Sequence, residues 1–457
     1  MSSLENRMTR SALIRFGGSL VAAVLACAGV ATAEPLTADQ AVAIALKQNP
    51  SVILAKADVL SARASLYSSY SGVLPTVSAG ITRNVSRTEK SKGSQVFGNA
   101  VVPSSSDLSE TYGTSPTISG TWSILDLSNL KGVQSAKHGM KAAQLSEKST
   151  RQLAVLDVRR QFYAVVQQVR LALVADAALK LARDNERRVR ALFEVGSVAR
   201  NDLLRARVST SQSELDSLTT HQQVVVQRDL LASLIGVPEA QMGEVDTALV
   251  VAPRTYDHAV VLEEATKQRP DILASEAELS AAKSGLTSAN FARLPYVTVG
   301  GSATFSPSSS NKTVTSGDTT FTSHSSADRV MSGRVAVNLD IFTGFATESR
   351  IASARARVLR AEENRNALRR NLVAEVNETL ISYQAAVEAD RVALDAFDSA
   401  MENLKLIQQK YNVGSATILD LIDAQVQATR AAADRQRTLA AIRVAEAQVD
   451  RVRGVGD

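Results

Sequence analysis

Asp420 and Asp423 are the acidic pair whose spacing suggests chemistry. Three residues apart on a helix, they share one face, near the start of a helix that follows Gly414. Such a pair either complements the helix dipole or presents negative charge to passing solutes, and residue type alone leaves both open. No other grouping points to a reaction. His138, His221, His258 and His324 are isolated, without H-x-x-x-H spacing. The glycines make no G-x-x-x-x-G-K loop, and the six methionines do not cluster. Cys27 is the only cysteine, which leaves no disulfide pair. The expectation is therefore a protein without catalytic residues, cofactor or metal.

The elements that carry these residues begin with a leader. Arg7, Arg10 and Arg15 precede an uncharged stretch from Phe16 to Val30, then Ala31-Thr32-Ala33. That order reads as a secretory signal peptide over residues 1–33. Val24-Leu25-Ala26-Cys27 offers the competing reading, a lipidated cysteine. The formal net charge of the whole chain is +5, and cleavage would remove three arginines against Glu5. So small an excess gives no case for a nucleic-acid partner. After Val30 no apolar run is expected to reach the roughly 18 residues of a membrane-spanning helix. Entry into a membrane would then need strands.

One unit is written twice. Lys47-Gln48-Asn49-Pro50 returns as Lys267-Gln268-Arg269-Pro270, a displacement of 220 residues from Pro50 to Pro270. The same displacement carries Leu74-Pro75 to Leu294-Pro295 and Gly80 to Gly300. Val195-Gly196-Ser197 returns as Val413-Gly414-Ser415, displaced by 218 from Gly196 to Gly414. The first unit spans 34–236, a connecting segment 237–257, and the second unit 258–457.

Within each unit, Pro50 or Pro270 opens a helix at its first turn, and Pro75 or Pro295 ends it at a helix-to-strand junction. Strands follow at about 76–87 and 111–124, then at about 296–305 and 331–341. Val335, Val337, Leu339 and Ile341 alternate with Arg334, Ala336, Asn338 and Asp340, the pattern of a wall between lipid and water. Thr88–Glu110 and Ser306–Arg329, rich in Ser and Thr, read as solvated loops. Trp122 ends a strand, either in an interfacial girdle or packed under the rim. Long proline-free hairpins run over about 129–236 and 345–453. From Val373 to Tyr411 a strict 3,4 spacing predicts a coiled-coil seam. Gly196 and Gly414 cap the long helices, with Ser197 and Ser415 opening the returns. The fold expected is mostly α with a β-barrel segment. Four strands cannot close a barrel, and open edges are not tolerated in lipid, so several copies must share one barrel.

The duplicated Leu-Pro junctions, the Val-Gly-Ser tips and the run Gly414-Ser415-Ala416-Thr417-Ile418-Leu419-Asp420-Leu421-Ile422-Asp423-Ala424 together resemble the TolC family of outer-membrane efflux and secretion channels. The resemblance spans essentially the whole chain after the leader. It implies a homotrimer with a twelve-stranded barrel in the outer-membrane lipid and a helical barrel across the periplasm. It also implies a periplasmic adaptor docking at the tips Val195-Gly196-Ser197 and Val413-Gly414-Ser415, and an inner-membrane transporter behind it. Residues 237–257 match the family's equatorial region. Asp420 and Asp423 match aspartates that ring the periplasmic entrance, and Asp202 and Tyr411 match residues that help latch it. The family's latch arginine falls at Ala416, so the ionic link is missing; Arg200 and Arg205 are nearby candidates for a substitute partner, or else ordinary solvated helix charges. The implied function is a passive exit duct for a tripartite efflux pump or type I secretion system. A poreless periplasmic coiled-coil scaffold would explain the leader and helices, but not the duplicated strands.

Overall fold

The computed structural model describes residues 35–249, 251–305, 310–316, 319–325 and 329–455. The expected leader, Cys27 included, lies outside the described residues. The first repeat runs α1 (Ala38–Gln48), α2 (Pro50–Tyr70), β1 (Thr76–Phe97), β2 (Ala100–Leu125), α3 (Leu127–Glu194) and α4 (Arg200–Ile235). A single turn, α5 (Glu239–Met242), lies in the connection. The second repeat runs α6 (His258–Gln268), α7 (Pro270–Phe291), β3 (Tyr296–Thr304), β4 (Ser310–Ser316), β5 (Thr319–Ser325), β6 (Val330–Asn338), α8 (Ala346–Asn412) and α9 (Ile418–Arg453).

Local chemistry sets the ends of these elements. Pro50 and Pro270 sit in the first turns of α2 and α7, where a missing N–H is harmless. Pro75 and Pro295 stand directly before β1 and β3. At 68 residues, α3 is about 100 Å long. It carries a stretch apolar enough by length and composition to cross a bilayer, which corrects the expectation that none would follow Val30. That expectation looked for an unbroken apolar run, whereas the helix spreads small and branched side chains between its charges. Part of α3 is core: Val158, Phe162, Val165 and Val166 pack with Ala41 of α1 and Leu231 and Ile235 of α4. An equivalent cluster in the second repeat joins Val261 of α6, Val376 and Leu380 of α8, and Ile442 and Val449 of α9. The seam predicted on α8 is partial: Val376, Leu380, Tyr383 and Leu404 are buried, while Val373 and Met401 are exposed.

The strands form an antiparallel sheet in the order β1-β2-β3-β6 at its helix-proximal end. Beyond it, β4 pairs with β2 at Ser105↔Thr315 and with β5 along its length. Two predicted loops are therefore corrected. Thr88–Glu110 completes a long hairpin in which Phe97 faces Ala100 across Gly98-Asn99, and Ser306–Arg329 contains β4 and β5. Hydroxyl-rich sequence polar on both faces looks like a loop, yet a two-stranded ribbon satisfies its main-chain groups. The last strand, expected to reach Ile341, ends at Asn338. Leu339–Phe345 instead bends into α8, with Gly344 and Phe345 both at positive φ.

Candidate functional site: the hairpin tips and the open sheet

Both tips are built the same way. Ser197 N–H donates to the Leu192 carbonyl at 2.8 Å and Gly196 N–H to the Phe193 carbonyl at 2.9 Å. Ser415 and Gly414 repeat this onto Lys410 and Tyr411 at 2.9 and 3.1 Å. This Schellman closure needs a residue in the left-handed region, met by glycines at φ 75° and 77°. Ser197 and Ser415 thus close the outgoing helices instead of capping the return helices. The N-cap of α4 is Ala199, without a side-chain bond, and that of α9 is Thr417. Val195 and Val413 project at the ends, 74% and 78% exposed.

Asp420 is tied into the start of α9. Its Oδ2 accepts from Thr417 N–H at 2.8 Å and from Thr417 Oγ1 at 2.7 Å, and its own N–H donates to Thr417 Oγ1 at 3.2 Å. This is a capping box. The Thr417 backbone bond and then its hydroxyl hold the exposed carboxyl below its ordinary value. Asp423 makes no cap; its Oδ2 accepts from Gln427 Nε2 at 2.7 Å. Both side chains are exposed on one face of α9, which leaves them one turn apart and open to solvent at the tip.

The tips of the two hairpins are joined. Val189 of α3 and Leu203 and Ala206 of α4 pack with Leu404 of α8 and with Ile418, Leu421, Ala424 and Ala428 of α9. Arg188 Nη1 donates to Asn412 Oδ1 across the hairpins at 2.7 Å. Tyr411 packs on the edge of this cluster. Burial raises its phenol above the ordinary value, the Asp202 carboxylate adds to the rise, and Arg188 opposes it. So Asp202 and Tyr411 are electrostatic neighbours, but among the described residues no hydrogen bond joins their side chains. Arg200 and Arg205 are exposed, and among the described residues neither pairs with Asp202. Arg188 and Asn412 were missed by sequence reasoning; 224 positions apart, they carry no local signal. Alongside the tips, α3, α4 and α9 frame an open groove of about 1010 Å³ bordered by Leu204, Val208, Leu419 and Val426.

At the other end, the sheet sorts its side chains by face. Val77, Ile81, Val335 and Val337 lie on one face, each at least 70% exposed. The opposite face carries hydroxyls: Ser78 pairs with Ser119 at 2.8 Å, Ser302 with Ser332 at 2.9 Å, and Thr76 with Thr121 at 2.9 Å. An apolar face bare to solvent, backed by a hydroxyl face, suits lipid outside and water inside. Among the described residues β1 pairs only with β2, and β6 only with β3, so the sheet has open edges. Trp122, 43% exposed, donates from Nε1 to the Val73 carbonyl at 2.8 Å. That bond ties the strand end to the turn that follows α2.

Comparison with known proteins follows the same outline. The chain matches the outer membrane efflux protein family over residues 41–237 and 261–455, once per repeat. It is 22% identical to outer membrane protein TolC of Vibrio cholerae over 83% of this chain and 82% of that one. It is 26% identical to nodulation protein T of Rhizobium leguminosarum bv. trifolii over 69% and 67%. Among solved structures, outer membrane protein VceC of Vibrio cholerae superposes with a TM-score of 0.75 at 18% identity, covering 92% of this chain and 96% of that one. The Campylobacter jejuni CmeC outer membrane channel gives 0.75 at 16% identity, covering 92% and 86%.

Proposed function

Because this chain belongs to the outer membrane efflux protein family, we propose that it is the exit duct of a tripartite efflux pump or type I secretion system. The observation that carries this reading is the open sheet. A bilayer-facing apolar wall with unpaired edges is unstable in lipid until other strands close it. Three copies would do so as a homotrimer in the bacterial outer membrane, with the long hairpins packed into a periplasmic tube. The duct is passive, and its direction comes from an inner-membrane transporter.

The tips form the periplasmic entrance. Asp420 and Asp423 of every copy then converge on the axis as a carboxylate ring that favours cations. Asp420 also caps its helix, so its charge does two tasks, whereas Asp423, held by Gln427 but by no cap, is the one that acts on solutes. The closed entrance is held by the tip cluster and by Arg188–Asn412, in place of an ionic latch through residue 416. Asp202 and Tyr411 tune that contact. The exposed valines of the tips and the apolar-edged groove beside α4 and α9 receive a periplasmic adaptor. A planar-bilayer recording tests the reading. The purified protein should give stable single-channel currents, cation-selective in the parent and less so in Asp423→Asn. Absence of currents from protein that has inserted in the bilayer would discard the duct.

A further inference from the structure

The apolar series on the outward face of the sheet ends on arginines. On β6 the outward positions read Val337, Val335, Gly333 and Met331, with Leu339 just past one end of the strand and Arg329 just before the other. On β1 they read Val77, Ala79 and Ile81, then Arg83. Because β1 follows α2 and β6 precedes α8, both arginines lie at the end of the sheet away from the helices.

The ladders set the two at nearly one level. Ile81 faces Pro116, and the Phe305 N–H donates to the Pro116 carbonyl at 2.8 Å. The Arg329 guanidinium lies over the Phe305 ring, 5.0 Å from its centre. Arg83, which faces Thr114, is one outward position further along, about 7 Å. Both arginines are exposed, and among the described residues neither forms an ion pair.

That level is where the apolar band runs out. From Arg329 to Leu339 is 10 residues, about 34 Å along a strand and about 25 Å across the membrane at a tilt near 45°. An outward apolar band in an outer-membrane barrel is about 25 Å tall. The guanidinium groups therefore stand where hydrocarbon gives way to headgroups. A lipid-facing arginine is strongly unfavourable at the bilayer midplane and nearly neutral at this edge.

We propose that Arg83 and Arg329 hold phosphate groups of lipids in the leaflet away from the helices. This rests on the duct reading, which sets the apolar face against lipid, and adds the headgroup that the wall selects. A guanidinium is a planar fork, and two oxygens of one phosphate accept from it at once. Phe305 takes the flat face of the Arg329 guanidinium, and the N–H groups around its edge remain to donate to the anion. The acyl chains of the same lipid then run down the apolar face, past Met331 and Val335 on β6 and past Ile81 and Val77 on β1. Charge and hydrocarbon are recognised together, which a free phosphate ion cannot match.

Native mass spectrometry of the detergent-extracted oligomer tests this. The probes are diphosphorylated lipid A, its dephosphorylated form and inorganic phosphate. The parent should hold diphosphorylated lipid A about tenfold more tightly than the dephosphorylated form. Arg83→Gln and Arg329→Gln should each lower that affinity about tenfold. Arg329→Lys should recover only part of the loss, because it keeps the charge without the fork. Arg334 is two positions from Ser332 on the hydroxyl face, so Arg334→Gln should leave the affinity unchanged. Equal retention by the parent and both glutamine variants at Arg83 and Arg329 overturns the proposal. So does an equal loss in Arg334→Gln, or displacement of the lipid by inorganic phosphate at equal concentration. Those results leave the duct reading intact when the variants still conduct, whereas a parent protein that never inserts in a bilayer overturns both.

Discussion

Leu421 is 1% exposed in the cluster that joins the two hairpin tips. Truncating a buried leucine to alanine costs about 2–5 kcal/mol, depending on how far the cavity collapses. Of the eight buried residues in that cluster, Val189, Leu203 and Ala206 belong to the first hairpin and the other five to the second. Roughly a third of the loss therefore falls on the contact between hairpins, about 1–2 kcal/mol by the same scale. If parting the tips opens the entrance, Leu421→Ala should raise the ratio of open to closed channels about five- to thirtyfold. The control is Leu231→Ala, which empties a fully buried site in the α1/α3/α4 cluster and costs similar stability far from the tip. Single-channel recordings of both variants, with thermal unfolding alongside, give the answer. Equal open probability in Leu421→Ala and the parent, with stability lost, would refute the claim that this cluster holds the entrance shut.

Asp202→Ala should lower the Tyr411 phenol toward its ordinary value and change single-channel conductance; an unchanged conductance would remove Asp202 from the latch. The Asp420 carboxyl is held below its ordinary value by Thr417, so its cap stabilises at every pH above about 4 and is lost as pH falls through its folded value. Thr417→Val should accordingly unfold earlier than the parent at neutral pH, with the gap narrowing in acid below about pH 4. Gly454→Ala should lower the melting temperature more than Gly196→Ala. Both are at φ 75–77°, but only at Gly454 would a Cβ meet backbone, 3.0 Å from Arg269 N, whereas at Gly196 it meets nothing within 4 Å. Trp122 is the only tryptophan, so brominated lipids should quench its emission in vesicles if it sits at the interface; unquenched emission would mean it packs under the rim.

The helices were legible because proline and glycine mark them. Leu127–Glu194 and Ala346–Asn412 fall within two residues of the bounds read from Pro-free runs ending at Gly196 and Gly414. The helix-proximal halves of the strands were legible from alternation, as in Val335 and Val337. Their distal halves were not, because serine and threonine occupy both faces there and erase the period of two. A signal was nonetheless present: Gly98-Asn99 is a two-residue hairpin turn. The tips show the same division. Thr417-x-x-Asp420 could have been read as a capping box, and Ser197 and Ser415 were misplaced because an N-cap serine and a Schellman closure look alike when only Gly-Ser is seen. Arg188–Asn412 and the shared tip cluster come from tertiary packing, which no local window of sequence contains.

A closed duct depends on pairing the sheet edges that one chain leaves open. Native mass spectrometry of the protein extracted from outer membranes measures that most directly. Particles of three copies are predicted, conducting when returned to a bilayer. A stable single copy, folded and embedded in the outer membrane with β1 and β6 exchanging their amide hydrogens freely, would contradict it.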